Sequence, residues 1–480
     1  MPPAIASVVF ALVIFWLFWL EREQGRRTSR ALWIPIVWFL LSGSRSVGQW
    51  LSIGSPTQFT DNVEIANQLL EGSPIDRLVY AFLSILGVIV LATRKREAVK
   101  ILRANGPITL FFVYCAVSIL WSDYPDVAFK RWTKALADVI MVLVVLTDRE
   151  PCIAVKRLFV WMSCLLVPLS ILFSKYYPAI GRTYGEWLGE VHYTGVTLAK
   201  NNLGAVCLLV GLASVWRLVN VFQDRSDTAR TRRLLALGVI LAMVLWLFWK
   251  VNSMTALVSF LLGIVLLLSG NVRMVVKKPV AIHLIVALIL SVTISVLFFN
   301  VSPGAFQTLG RDPTLTDRTA IWAMLISMSI NDLVGTGYES FWLGPRLLKI
   351  WNVYGLRLNQ AHSGYLEIFL NLGWVGVALL AVVMATGYRR VIAAFRRNPQ
   401  IGSLMLAYFT VGVIYNCTEA AFFRMMTPVW MFLLLAITGA LVLANHSIRA
   451  PVAGLPDHEM PSSVWWESGF HRAPEKHPNA

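Results

Sequence analysis

About thirteen runs of apolar residues, each approaching the roughly 20 that a helix needs to cross a bilayer, divide this chain from end to end. They fall at 3–20, 31–53, 77–92, 107–121, 132–147, 158–174, 202–218, 234–249, 256–270, 280–299, 365–385, 404–417 and 428–445, with Arg45 interrupting the second. So many segments that cannot face water leave one solution: helices packed against helices in lipid, each satisfying its own backbone hydrogen bonds. Composition agrees. The 480 residues are 57% hydrophobic and 14% charged, where soluble domains carry about 25% charge. The expected fold is all-α, a polytopic membrane protein of about 13 transmembrane helices with one large loop.

The basic residues collect in every second connection. Arg22, Arg26, Arg27 and Arg30 follow the first run, Arg94, Lys95, Arg96, Lys100 and Arg103 the third, and Arg225, Arg230, Arg232 and Arg233 the seventh. Arg273, Lys277 and Lys278 follow the ninth, and Arg389, Arg390, Arg396 and Arg397 the eleventh. Lys and Arg mark the cytoplasmic side, so these connections point inward and the long polar stretch between the tenth and eleventh runs points outward. Topology thereby accounts for the net charge of +16, and no nucleic-acid partner is implied. Met1-Pro2-Pro3 lacks a basic leader region, so a cleaved signal peptide is not expected.

Five segments follow: N-terminal transmembrane helices at 1–106, central helices with short outer loops at 107–299, the large outer loop at 300–364, C-terminal helices at 365–445 and a disordered cytoplasmic tail at 446–480. The large loop keeps Trp322, Tyr338, Phe341, Trp342 and Tyr354 among its charges, the mark of a folded insert. Cys115, Cys152, Cys164, Cys207 and Cys417 form no C-x-x-C pair and read as small buried side chains.

Four outward segments hold the residues suited to chemistry. At 118–131 a short turn carries Ser122 or Asp123 as a helix cap and Pro125 in the first turn. Lys130 and Arg131 follow, placed either to snorkel to headgroups or to meet a lipid-borne phosphate. At 175–202, Asn201 or Asn202 is a candidate cap, and Arg182 and Lys200 beside a helix start make a candidate phosphate site. Tyr184, Trp187 and Tyr193 there are either sugar-stacking rings or belt residues. The turn Val251 to Thr255 offers hydroxyl and amide groups only.

The large loop is the richest. It holds Arg311, Arg318, Arg346 and Arg357, with an amphipathic helix expected to start at Asp317 and an aromatic patch from Tyr338 to Trp342. It closes on His362 and Glu367 where the eleventh run begins. Guanidinium groups hold phosphate oxygens bidentately and stay charged. His192 and His362 are the histidines on the outer face by this topology, and a neutral imidazole can accept a proton. The outer segments contain no D-x-D pair and no His/Cys cluster with ligand spacing, so no metal site and no cofactor is expected.

Taken in order, S-I-L-W-S-D-Y-P-D-V-A-F-K-R at 118–131, K-N-N-L-G at 200–204, G-R-D-P-T-L-T-D-R-T-A-I-W at 310–322, G-T-G-Y-E-S-F-W at 335–342 and H-S-G-Y-L-E at 362–367 resemble the O-antigen ligase and polymerase family of the Wzy/WaaL type. The resemblance covers roughly residues 100 to 440 and is nearest to the branch of rhizobial exopolysaccharide production (ExoQ-like) polymerases. It implies a GT-C-like helical glycosyltransferase in the bacterial inner membrane with a periplasmic active face. It further implies an undecaprenyl-diphosphate-linked donor and acceptor, no metal, and an essential His and Arg. By motif His362 matches the histidine, Arg318 the arginine of the large loop, and Arg182 the arginine of the earlier loop. Met254 stands where ligases commonly carry a basic residue, which weakens the case for ligation.

The expected reaction is polymerisation of lipid-linked repeat units by a metal-independent inverting glycosyl transfer. His362 and Arg318, with Glu367, are the expected catalytic residues. Arg311, Arg182, Arg131, Lys200, Tyr338 and Trp342 are the expected substrate-binding residues, and chain-length regulator or export proteins are the expected protein partners. The alternatives are ligation of the glycan to another acceptor, a polysaccharide flippase or transporter, and a sugar-binding scaffold. A transporter calls for paired charges deep within several helices; Asp138 is the clearest candidate, a simple pairing with Lys134 four residues earlier is the alternative, and the helix interiors are poor in such groups.

Overall fold

Each of the thirteen apolar runs lies on a helix or on a broken pair of helices. The computed structural model describes residues 1–22, 28–53, 62–184, 189–225, 228–298, 315–355, 357–424 and 426–448, with backbone alone at 67–69, 71, 279, 294, 296–298, 315–319 and 447–448. The helices are α1 (Pro3–Leu20), α2 (Trp33–Ser42), α3 (Val47–Leu51), α4 (Asn62–Glu71), α5 (Pro74–Thr93), α6 (Lys95–Ala104), α7 (Gly106–Val117), α8 (Pro125–Leu146), α9 (Pro151–Tyr176) and α10 (Pro178–Gly181). After the short hairpin β1 (Arg182–Tyr184) and β2 (Val191–Tyr193) come α11 (Lys200–Gln223), α12 (Arg230–Val251), α13 (Met254–Ser269), α14 (Arg273–Lys277) and α15 (Pro279–Phe298). Then follow α16 (Leu315–Ser327), α17 (Gly344–Tyr354), α18 (Gly364–Arg397), α19 (Pro399–Thr418) and α20 (Pro428–Ile448). The tail beyond 448 lies outside the described residues.

Among the described residues eight helices are long and apolar enough to cross a membrane: α1, α5, α9, α11, α12, α18, α19 and α20. The pair α6–α7 makes a ninth if its 90° bend at Asn105 lies within one span. The expected second span is interrupted: α2 stops at Ser42, and Arg45, in the gap before α3, donates to the Ile180 carbonyl at 2.5 Å. The fifth expected span, α8, is long but carries Asp126, Lys130, Arg131, Lys134 and Asp138. Proline opens several helices, among them Pro74, Pro125, Pro151 and Pro399, because its missing N–H has no intrahelical partner there in any case.

The innermost layer is α9, α11, α19 and α20, where Trp430, Tyr408, Phe159 and Phe432 are fully buried. Polar contacts divide this bundle into two ends. At one, Ser29 and Arg94 both meet Asp148, and Arg217 is bonded to Glu21. At the other, Asp123 is paired with Arg346 at 2.7 Å, Asn201 with Glu419, Thr255 with Thr418, and Arg357 with Asn62. Alternate connections therefore gather at opposite ends, as the basic residues imply.

The insert folds as its own small layer. Phe341, Trp342, Leu347, Ile350, Trp351 and Leu370 form a buried cluster that also takes in Ala66 from α4. A break in α18 clamps this layer to the bundle. Gly373 adopts φ 63°, ψ −165°, a conformation a side chain rarely tolerates, and interrupts the helical ladder. The loop at 331–341 fills the gap: Thr336 and Gly337 donate to the carbonyls of Leu370 and Asn371 at 3.2 and 2.9 Å, while Trp374 and Val375 donate to Asp332 and Leu333 at 2.8 and 3.1 Å. A backbone kink thus becomes a dock, its freed carbonyls and N–H groups taken by the loop.

Candidate functional site

His362 sits one residue ahead of the cap of α18, with φ 51°, a left-handed conformation uncommon for a side-chain-bearing residue and frequent at functional sites. Its Nδ1 lies 3.3 Å from Oε2 of Glu419, whose Oε1 accepts from Asn201 Nδ2 at 2.7 Å. The imidazole is part exposed, at 29%, and the carboxylate is nearly buried, at 7%. Gln360 Nε2 also approaches Nδ1, at 3.4 Å, because its Oε1 is taken by Arg424 at 2.8 Å. One ring nitrogen cannot both donate and accept. A carboxylate is the stronger partner for a ring N–H, so in the neutral ring the proton belongs on Nδ1 and the lone pair on Nε2.

The loop at 418–427 supplies both Glu419 and Arg424, and it was not singled out from sequence. Its shape is held from below. Asn416 Oδ1 accepts from the N–H groups of Ala421 and Phe422, both at 2.8 Å, and the Glu419 carbonyl accepts from Gly364 N at 3.1 Å. Phe423 stacks on Phe111 with centroids 3.7 Å apart, and Tyr338 donates its hydroxyl to the Phe423 carbonyl at 2.6 Å. The available signal was topological: 418–427 follows the twelfth apolar run, so the alternation rule already put Glu419 and Arg424 on the outer side.

Arg131 is drawn in beside this loop. Its Nη1 donates to the carbonyl of Glu339 at 2.5 Å and lies 3.8 Å from the Glu339 carboxylate, and its charge acts on that of Arg424. It is therefore turned to Glu339 of the insert rather than snorkelling to headgroups, whereas Lys130 next to it is exposed. A guanidinium so placed can also meet a phosphate oxygen.

Glu367 is ringed by donors from the insert and from its own helix. It is bonded to Trp342 Nε1 at 3.0 and 2.9 Å, to Ala361 N at 2.6 Å and to Asn371 Nδ2 at 3.4 Å. With its oxygens so occupied it fixes the residue before His362. Trp342 and Tyr338 are buried, and their polar atoms bind Glu367 and Phe423; the aromatic patch is a mount for the loop. Arg346 leaves the patch to pair with Asp123, beyond the Phe341 ring.

A second cationic group stands at the same end. Arg182 lies 5.2 Å and Lys250 5.8 Å from the Tyr193 ring centroid, and Lys200 Nζ is 3.3 Å from His192 Nε2. Burial and the Lys200 ammonium lower the basicity of His192 below the ordinary imidazole value. Arg182 also donates to the Ser174 carbonyl at 2.7 Å, closing the end of α9. Lys250 was not foreseen. It brings an ammonium to the end of α12, four residues before Met254 opens α13.

Two expected caps are corrected. α11 begins at Lys200 with Ala199 as its cap residue, so Asn201 and Asn202 lie inside the helix, and Asn201 is free to reach Glu419. α8 is preceded by Tyr124, while Ser122 accepts from Tyr124 N and bonds Ser340 Oγ at 2.6 Å. Lys134 lies over the Tyr80 ring at 4.5 Å instead of pairing with Asp138. Arg311 and Trp187 lie outside the described residues. Arg318 falls on α16, and its side chain lies outside them too.

The chain matches no protein-family model and no curated protein.

Proposed function

We propose that this protein lengthens lipid-linked oligosaccharide chains, transferring a glycan from undecaprenyl diphosphate to a sugar hydroxyl of a second lipid-linked repeat unit at the periplasmic face of the bacterial inner membrane. The observation that carries this reading is the placement of His362, Glu419 and Asn201 beside Arg424 and Arg131 at one end of an apolar helical bundle. A proton acceptor oriented by a carboxylate serves a hydroxyl nucleophile. Guanidinium groups at the same end serve a departing diphosphate.

In the step itself the acceptor hydroxyl oxygen forms a bond to the anomeric carbon while the bond from that carbon to the diphosphate oxygen breaks. The electron pair leaves with the diphosphate, and the hydroxyl proton passes to His362 Nε2. Asn201 and Glu419 hold the imidazole, and Arg424 and Arg131 face the growing negative charge, with Arg318 and Arg311 as further candidates by motif. Attack from the side opposite the leaving group inverts the anomeric centre. Arg182, Lys200 and Lys250 suit the diphosphate of the second lipid-linked chain, and chain-length regulator or export proteins are the fitting partners for the product.

The glycans of a strain lacking the protein test the reading. Accumulated single repeat units support polymerisation, long polymer without attachment points to ligation, and unaltered polymer contradicts both.

A further inference from the structure

Asp138 is fully buried halfway along α8, and nothing in the proposed reaction uses it. A carboxyl group in the middle of a membrane bundle is costly unless its partners need it, and here the partners are informative. Oδ1 accepts from Trp38 Nε1 at 2.8 Å and Oδ2 accepts from the backbone N–H of Met426 at 3.3 Å. Met426 has φ 56° and Phe423 φ 53°, so the loop carrying Glu419 and Arg424 is bent into left-handed turns at two side-chain-bearing residues. Such a loop reverts unless its surroundings hold it.

Helical spacing adds the second part. Arg131 and Asp138 are seven residues apart on α8, two turns, and so share one face. Arg131 holds the insert through Glu339, and Asp138 holds the 418–427 loop through Met426. Trp38, which packs edge-on against Tyr80 at 5.4 Å, ties the same carboxyl group to α2 and α5.

We propose that Asp138 is a positioning residue: with Trp38 it fixes the 418–427 loop, and through it Glu419 and Arg424, in register with the residues that α8 presents to the insert. The N-terminal helices, which carry none of the quoted motifs, thereby act on the site. The effect on turnover rests on the glycosyl-transfer reading, whereas the effect on the loop does not.

Hydrogen exchange by mass spectrometry on the full-length protein in nanodiscs, followed by transfer kinetics in liposomes, tests both parts. Asp138→Ala should speed exchange across 419–427 by about tenfold while exchange in α11 stays within about twofold of the parent. Trp38→Phe, which keeps the ring and removes the donor, should give a smaller increase in the same segment. Turnover in Asp138→Ala should fall by about tenfold or more with KM within about threefold, and Asp138→Asn, which retains an acceptor, should recover most of it. Unchanged exchange at 419–427 in Asp138→Ala overturns the proposal whatever the activity, and so does loosening spread evenly through the bundle. Loosening confined to that loop in Asp138→Ala, with a parent protein that transfers no glycan, upholds the mount and overturns the reaction.

Discussion

Glu419 Oε2 lies 3.3 Å from Nδ1 of His362, while the other oxygen of the same carboxylate is held by Asn201 at 2.7 Å. The two side chains come from loops 57 residues apart, joined again by the Gly364 N–H to the Glu419 carbonyl. Removing the carboxylate leaves the imidazole without the partner that orients it. Glu419→Ala should therefore lower turnover by about 10²-fold or more, the scale of a lost acid–base function, with protein still present in the membrane. Transfer kinetics on purified variant and parent check this.

Glu367 distinguishes positioning from proton transfer. Its bonds to Trp342, Ala361 and Asn371 can be partly kept by an amide, so Glu367→Gln should retain turnover within about tenfold, whereas Glu367→Leu strands buried donors at about 1–3 kcal/mol each and should lose both stability and activity. Loss of all turnover in Glu367→Gln with an intact fold would make it a base.

The dock between insert and bundle depends on Asn371, whose Oδ1 accepts from Ser340 N at 2.9 Å and Phe341 N at 3.1 Å. Asn371→Ala leaves the Phe341 N–H buried and unpartnered and Ser340 N with only its 3.3 Å bond to the Gly337 carbonyl, a loss of about 1–3 kcal/mol. Gly373→Ala should be as damaging, since a Cβ there meets the Leu333 backbone at 2.3 Å. Limited proteolysis should cut both variants between 331 and 364 while the parent resists.

At the opposite end, Arg217 and Glu21 form a buried ion pair. Breaking it through Glu21→Ala should cost about 3–5 kcal/mol, and Glu21→Met with Arg217→Met should recover most of that. Thermal unfolding of the detergent-solubilised protein reads the difference.

The helices were legible because lipid imposes a local rule: apolar residues in runs of fixed length, with Arg and Lys alternating between ends. The dock was not, since Gly373 inside an apolar run gives no hint that loop 331–341 will take its freed carbonyls. His362 was found as a titratable group at a helix start, but its partner was missed because Glu419 lies beyond another span and pairing over that separation leaves no periodic trace. Tyr338 and Trp342 were read by residue type as sugar platforms. Aromatic rings in a polar loop fit either role, and burial, which is a tertiary property, decides it.

Lengthening of glycan chains by the purified protein in liposomes holding a single lipid-linked repeat unit is the most direct measurement, made side by side with His362→Ala. The expected result is a ladder of longer lipid-linked chains from the parent and none from the variant, with equal protein in both membranes. Ladders of equal length from the two proteins would contradict the role of His362, and movement of the repeat unit across the bilayer without lengthening would contradict glycosyl transfer itself.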